Sequence, residues 1–301
     1  MTKLGNTDLD VYGLNLGGNV FGWTADAPQS FAVLDAYTAA GGNFVDTADL
    51  YGGGGGSEEI LGDWLAARGN RDDVVVATKV GMWQGRPGLS AKNIQAAAED
   101  SLRRLKTDRI DLYYAHVDDP DTPLEETLSA FDALVRAGKV RYLGASNYSA
   151  ERLGEALSIS DANGLARYAV LQPHYNLVER DYERELAPLV EREGLATLPY
   201  FSLAKGFLTG KYRAKGDVTD SPRAARAESY LDNGGERVLA KLDAVAKAHD
   251  VSMATVSLAW LRQQPTVAAP IASARTPEQL TDLIASVTLD LTPDEVASLS
   301  L

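Results

Sequence analysis

Short apolar runs alternate with longer segments of helical spacing along almost the whole chain. Lys3 to Leu16 holds two strand-like pieces around Gly5-Asn6 and then V-Y-G-L-N-L, stopping at Gly17-Gly18-Asn19. This predicts a small N-terminal hairpin followed by a first core strand. Gln29 to Ala40 carries apolar residues at Phe31, Leu34, Ala36, Tyr37 and Ala40, close to helical periodicity. Asn43 to Asp46 predicts the next strand. Gly52 to Gly56 then runs into Ser57, read as a helix cap with Glu58 and Glu59 in the first turn, where carboxylates suit the dipole.

The alternation continues. Val74 to Thr78 is a β-branched run ending at Lys79, followed by a helical segment from Ser90 to Leu105. Ile110 to Ala115 ends at His116, Val140 to Ala145 at Ser146-Asn147, Ala169 to Leu171 at Gln172, and Leu195 to Leu198 near Tyr200. Val267 to Ile271 ends in A-S-A-R, and Arg180 to Glu193 reads as helix despite Pro188. Thr122-Pro123-Leu124-Glu125, Thr276-Pro277-Glu278-Gln279 and Thr292-Pro293-Asp294-Glu295 have the form of capping boxes with proline at the first helical position. Eight strand signals, nearly all followed by a helix, predict parallel β-α-β units closed into one (β/α)₈ barrel over residues 1–301. The rival open sheet would carry G-x-G-x-x-G after its first strand, and Gly17-Gly18-Asn19-Val20-Phe21-Gly22 does not match. A long irregular insertion, about Thr209 to Gly235, follows the seventh strand.

Composition narrows the chemistry. A net charge of -13 and a pI near 4.7 disfavour a general nucleic-acid or anionic-membrane binder, because the overall field repels both. The absence of cysteine removes thiolate nucleophiles, thiolate metal sites and disulfides, and three scattered histidines at 116, 174 and 249 offer no metal-ligand spacing. With no apolar leader at the N-terminus, the expected compartment is the cytoplasm. Oligomeric state is not legible.

Active sites of (β/α)₈ barrels are built at the C-terminal ends of the strands. Those ends carry Asp46, Lys79, His116, Ser146, Asn147 and Gln172, with Tyr51 just past the second strand. A phenol, whose reference pKa is near 10, becomes a usable acid when a cation favours its ionised form. Lys79 can be that cation, Asp46 can hold it, and His116 can orient a carbonyl or share the proton. Such a set would protonate a carbonyl oxygen while a nucleophile, in the simplest case hydride, arrives at its carbon.

D-T-A-D-L-Y-G with S-E-E-I-L-G, then T-K-V-G, D-L-Y-Y-A-H and G-K-V-R-Y-L-G-A-S-N resemble the aldo-keto reductases in order, spacing and identity. The resemblance covers essentially the whole chain. It implies reduction of aldehydes or ketones with a nicotinamide cofactor, and a catalytic tetrad of Asp46, Tyr51, Lys79 and His116. It further implies that Ser146, Asn147 and Gln172 meet the nicotinamide carboxamide, and that Tyr200 stacks on the ring. Phe201, Ser202, Leu203, Lys205, Gly206 and Lys211 would line the pyrophosphate, with Gly18 and Asn19 also on the cofactor side. Ser273 and Arg275, just before the Thr276-Pro277 helix start, form a fitting cradle for a 2'-phosphate, so NADPH is the expected cofactor. Where the family often has asparagine, four residues beyond Gln279, this chain has Leu283.

Several of these residues have a second reading. Gln279 completes a capping box as readily as it meets adenine, Asp46 and Lys79 can form a buried ion pair without catalysis, and Arg275 can pair on the surface with Glu278 or Asp282. The glycine run implies conformational freedom or close backbone approach to a ligand. Phe21, Trp23 and Trp83 are expected to line a substrate pocket with Tyr51 and His116. Two other classes of function compete with the reductase: a cofactor-binding regulatory subunit with little turnover, and a barrel isomerase or lyase.

Overall fold

In the computed structural model, which describes residues 1–214, 216 and 224–300, the β-branched runs form strands because their side chains are buried on both faces of the sheet. A hairpin, β1 (Thr2–Lys3) antiparallel to β2 (Asp10–Val11), precedes the main sheet. The main sheet contains β3 (Asn15–Gly17), β4 (Phe44–Asp46), β5 (Val75–Val80), β6 (Ile110–Ala115), β7 (Val140–Ser146), β8 (Tyr168–Gln172), β9 (Ala196–Thr197) and β10 (Ile271–Ala272). All its neighbours are parallel, in the order β10-β3-β4-β5-β6-β7-β8-β9.

The barrel closes between β9 and the segment leading into β10. Thr197 and Val267 form a parallel bridge, with Thr197 N donating to Thr266 O (2.8 Å), Ala268 N to Thr197 O (3.0 Å) and Ile271 N to Pro199 O (2.9 Å). Side chains add to this seam: the hydroxyls of Tyr182, Thr197 and Thr266 lie 2.8–3.1 Å apart in a triangle. The predicted (β/α)₈ barrel is therefore the observed fold.

Alternation along each strand sorts side chains into two cores. Phe44, Ala77, Leu112, Val170 and Leu198 point into the barrel, where they meet Leu4, Leu9 and Val11 of the hairpin region. The hairpin thus plugs the N-terminal end, and each of these fully buried aliphatic side chains contributes about 1.5–3 kcal/mol. Val45, Val76, Tyr113 and Leu143 face outward into the larger core beneath the helices.

Three local expectations need correction. Ser57 does not cap its helix: the helix spans Gly56–Arg68, Gly55 is the cap, and the buried Ser57 hydroxyl donates to Gly18 O (2.7 Å) and sits 2.8 Å from Thr47 Oγ1. Thr122 forms no capping box, since its hydroxyl turns away to Asp119 Oδ2 (2.7 Å) and the Leu124–Arg136 helix has no side-chain cap. The Thr292 box is complete. The Thr276 one is half-formed, because Gln279 Oε1 accepts from Arg275 N (3.0 Å) instead of Thr276 N. Part of the insertion after β9, residues 215 and 217–223, lies outside the described residues.

Candidate active site

Phe44 points into the barrel, so Asp46, two residues on, does as well; the same parity carries Lys79 inward behind Ala77. Lys79 is fully buried and its Nζ donates to Asp46 Oδ2 (2.5 Å) and Thr47 O (2.7 Å). From the far side of the barrel, Gln172 Nε2 donates to Asp46 Oδ1 (2.9 Å), so both carboxylate oxygens are engaged. Burial pushes the Lys79 ammonium below its ordinary pKa, and the Asp46 carboxylate opposes this. Breaking such a pair would leave an uncompensated charge in the interior, a cost of about 3–5 kcal/mol.

Tyr51 does not sit in an open loop. It opens a tight turn closed by Gly54 N donating to Leu50 O (3.2 Å) and Gly55 N to Tyr51 O (3.1 Å), and Gly52 to Gly55 all have positive φ, from 67° to 110°, so the turn is not a right-handed helix. Lys79 Nζ lies 5.2 Å from the centre of the Tyr51 ring, and His116 meets that ring edge-on at 6.0 Å. Burial, reinforced by the nearby Lys79 charge, holds the His116 imidazole well below its ordinary pKa, so the ring is neutral at pH 7. Its Nδ1 is buried without a hydrogen-bond partner among the described residues. Asp46, Tyr51, Lys79 and His116, spread over 71 positions of sequence, thus meet at one barrel mouth.

A second buried charge cluster lies behind Lys79 and was not anticipated. Glu58, read as a helix-dipole carboxylate, is fully buried; it accepts from Arg104 Nε (2.6 Å) and from Thr78 Oγ1 (2.5 Å). Arg104 reaches it by passing under the glycine run, where a Cβ on Gly55 would stand 2.4 Å from Arg104 Nε. The glycines therefore admit the protein's own side chain at this point. Asp49 is buried beside this cluster, one of its oxygens has no hydrogen-bond partner among the described residues, and its carboxyl is pushed up to about 7 by burial and by Glu58. A signal was present: Arg104 follows Ala97 at the seven-residue spacing that puts both on one helix face, the buried one.

The sequence model of the aldo/keto reductase family matches residues 13–300. The chain belongs to the aldo/keto reductase family. Curated relatives include norsolorinic acid reductase stcV of Emericella nidulans, 35% identical over 89% of this chain and 70% of that protein. The uncharacterized oxidoreductase YrpG of Bacillus subtilis is 36% identical over 96% of this chain and 91% of its own length. A probable voltage-gated potassium channel subunit beta of Oryza sativa subsp. japonica is 36% identical over 93% of this chain and 88% of its own length. These matches establish an aldo/keto reductase with oxidoreductase relatives. Among the described residues no helix is long and apolar enough to cross a membrane.

In this aldo/keto reductase the residues expected on the cofactor side form two hydrogen-bonded groups, one around Asn147 and one between Ser273 and Asn19. Ser146 Oγ donates to Gln172 O (2.9 Å), and Asn147, held in a left-handed conformation at φ 56°, donates Nδ2 to His116 O (2.9 Å). Tyr200 OH donates to Asn147 Oδ1 (2.7 Å). Ser273 Oγ donates to Asn19 Oδ1 (2.6 Å), an approach that Gly17 permits, since a Cβ there would stand 2.5 Å from the Ser273 hydroxyl. Gly18 is buried beside Ser57 and is reached through its carbonyl.

Lys205 Nζ donates to Tyr230 OH (3.3 Å), next to Gly206 in a left-handed turn, and Lys211 is exposed beside Tyr212. Arg275 is exposed at the helix start and joins no ion pair among the described residues, so neither Glu278 nor Asp282 neutralises it. The exposed Gln279 leaves its side-chain nitrogen outward. Lys205 and Lys211 follow β9 and Arg275 follows β10, so three cations stand beyond neighbouring strand ends of an acidic protein.

Two side chains sit away from where the sequence led us to expect them. The Ser202 hydroxyl is buried and donates to Pro199 O (2.9 Å), so only the backbone of Ser202 can meet a phosphate, while Phe201 and Leu203 stay partly exposed. Phe21 is fully buried in the core, because its backbone closes a turn onto Gly18 O (3.0 Å), and it does not line a pocket. Trp23 is 54% exposed, whereas Trp83 is half-buried against Gly54 and stacks under Arg86 at 5.9 Å.

Proposed function

We propose that this protein reduces aldehydes or ketones to alcohols with NADPH, using Tyr51 as the proton donor. The observation that carries the reading is the Lys79–Asp46 pair, 2.5 Å apart and buried beneath the Tyr51 ring beside a neutral His116. When bound, the nicotinamide dinucleotide supplies the hydride that reaches the carbonyl carbon.

Every other role falls to side chains. Tyr51 Oη gives its proton to the carbonyl oxygen as negative charge develops there, and the Lys79 ammonium stabilises the resulting phenolate. Asp46 holds that ammonium in place, and Gln172 holds Asp46. His116 is the alternative donor, but a ring kept neutral well below its ordinary pKa has no acidic proton to give at pH 7. It can donate a neutral N–H bond that orients the carbonyl. Ser146 and Asn147 would meet the carboxamide and Tyr200 would face the nicotinamide ring. Lys205 and Lys211 would face the pyrophosphate, and Ser273 and Arg275 a 2'-phosphate. Trp23 and Trp83 would flank the substrate, a small carbonyl compound.

Tyr51→Phe is the test. It should abolish most of kcat, by about 10²–10⁴-fold for a lost general acid, and leave NADPH affinity nearly unchanged in a fluorescence titration. Carbonyl reduction within a few-fold of wild type would exclude Tyr51 as the donor. NADPH binding by the wild type without turnover of any aldehyde in a broad panel would favour a binding subunit instead, a reading consistent with the channel-subunit relative.

A further inference from the structure

His174 lies two residues beyond β8, on the segment that leads away from Gln172. The sequence gives it no role, yet its surroundings are specific. Its backbone forms a parallel bridge with Tyr200, and Tyr200 N donates to Pro173 O (2.9 Å), which fixes the two residues side by side. Their rings are stacked, with centroids 5.3 Å apart and planes 14° from parallel. Phe201 closes the edge, meeting the imidazole at 5.4 Å and 77°. The far end of the tyrosine is held as well, through Tyr200 OH to Asn147 Oδ1 and from Asn147 Nδ2 to His116 O. One face of Tyr200 is therefore covered by the imidazole, its edge by Phe201 and its tip by Asn147, so a planar ligand has only the opposite face.

We propose that His174 is a positioning residue for the cofactor: it backs Tyr200 so that the open face of the phenol ring is a preset platform for the nicotinamide. The proposal rests on the cofactor reading above, in which Tyr200 meets that ring. Offset stacking favours near-parallel rings 4.5–7 Å apart, so the imidazole resists tilting of the tyrosine before any ligand arrives. Order already present in the free protein need not be created on binding. The imidazole acts here as a ring and not as a hydrogen-bonding group, since its Nε2 is buried without a partner among the described residues. Burial pushes it toward the neutral form; of the charges facing it, Glu179 opposes this and Lys205 adds to it. A neutral ring puts no positive charge behind a platform that must accept both the cationic and the neutral nicotinamide.

The test compares wild type, His174→Ala, His174→Phe and Tyr200→Ala as full-length proteins. Each is titrated by fluorescence with NADPH and with 2'-phospho-ADP-ribose, which lacks the nicotinamide. His174→Ala should weaken NADPH by about 3- to 10-fold, the range expected for one lost aromatic contact, and leave the nicotinamide-free fragment unchanged. His174→Phe keeps a ring and should restore NADPH binding. Equal loss for NADPH and the fragment, no loss for either, or no rescue by phenylalanine would each overturn the proposal. If Tyr200→Ala weakens NADPH while His174→Ala does not, the cofactor reading stands and the role of His174 is wrong. A wild type that binds neither NADPH nor NADH would remove the cofactor reading itself, and this proposal with it.

Discussion

Asp49→Asn isolates the electrostatic cost of the buried cluster behind Lys79. Asp49 is 1% exposed, and its carboxyl titrates at about 7 in place of its ordinary 3.8. Burial and the Glu58 carboxylate drive this shift, while Arg104, Arg86 and Lys79 oppose it. The sign follows from proton binding: between pH 4 and pH 7 the folded protein keeps a proton that the unfolded chain has released. Wild-type stability therefore falls as pH rises through that window, and this contribution is flat above it. The full shift corresponds to about 4 kcal/mol. Relaxation around the ionised carboxylate reduces this, so a decline of roughly 2–4 kcal/mol is expected. Asparagine cannot ionise and lacks the decline. Its new amide adds only a constant offset, and titrating groups outside this cluster cancel between the two proteins. The assay is urea unfolding of both proteins at pH 4.5, 6 and 8, with the m-value checked for constancy. The difference in unfolding free energy should move in favour of Asp49→Asn as pH rises, and level off above about 7. A difference independent of pH would show that Asp49 stays ionised in the fold and refute the reasoning.

Lys79→Met should shift the pH dependence of alcohol oxidation upward, because a phenol without its cation ionises later; an unchanged profile in an active variant contradicts this. Gly55→Ala places a Cβ 2.4 Å from Arg104 Nε on a residue with φ 110°, so denaturant unfolding should show a loss of roughly 2–5 kcal/mol. A loss below 0.5 kcal/mol would mean that Arg104 leaves Glu58 at little cost. Arg275→Ala should weaken NADPH by roughly 1.5–3 kcal/mol and hardly affect NADH, as a lost charge-assisted contact to one phosphate requires. Equal effects on the two cofactors, measured by titration, would remove Arg275 from the site.

The barrel and the gathering of Asp46, Tyr51, Lys79 and His116 at its mouth were legible for one reason. Each strand is a short apolar run that stops on a polar residue, and a parallel barrel carries all such stops to one mouth. Asp46, Lys79 and His116 could be placed from this rule alone, with Tyr51 added by its distance from Asp46. Glu58 and Arg104 were not legible as partners, because they lie 46 positions apart and each has an ordinary local explanation, a helix dipole for one and a basic last turn for the other. Ser57 shows the same limit. Its residue type suits a cap, but Gly18 and Thr47, brought close only by the closed barrel, compete for its hydroxyl and win. Phe21 was misplaced because a turn onto Gly18, not its position after a strand, decides where the ring goes.

The seam between β9 and β10 joins two strands of only two residues each, whereas β6 and β7 share five register pairs. Short ladders such as this one open at lower cost than long ones, ahead of global unfolding. Tyr200 follows the strand on one side of that seam and Ser273 the strand on the other. In the proposed cofactor reading, a dinucleotide lying across both would bind only the closed barrel, and mass action would then convert its affinity into resistance to opening, by RT ln(1 + [L]/Kd). In a cell the concentration of the cofactor would set how often this fold breathes, and so its exposure to proteases.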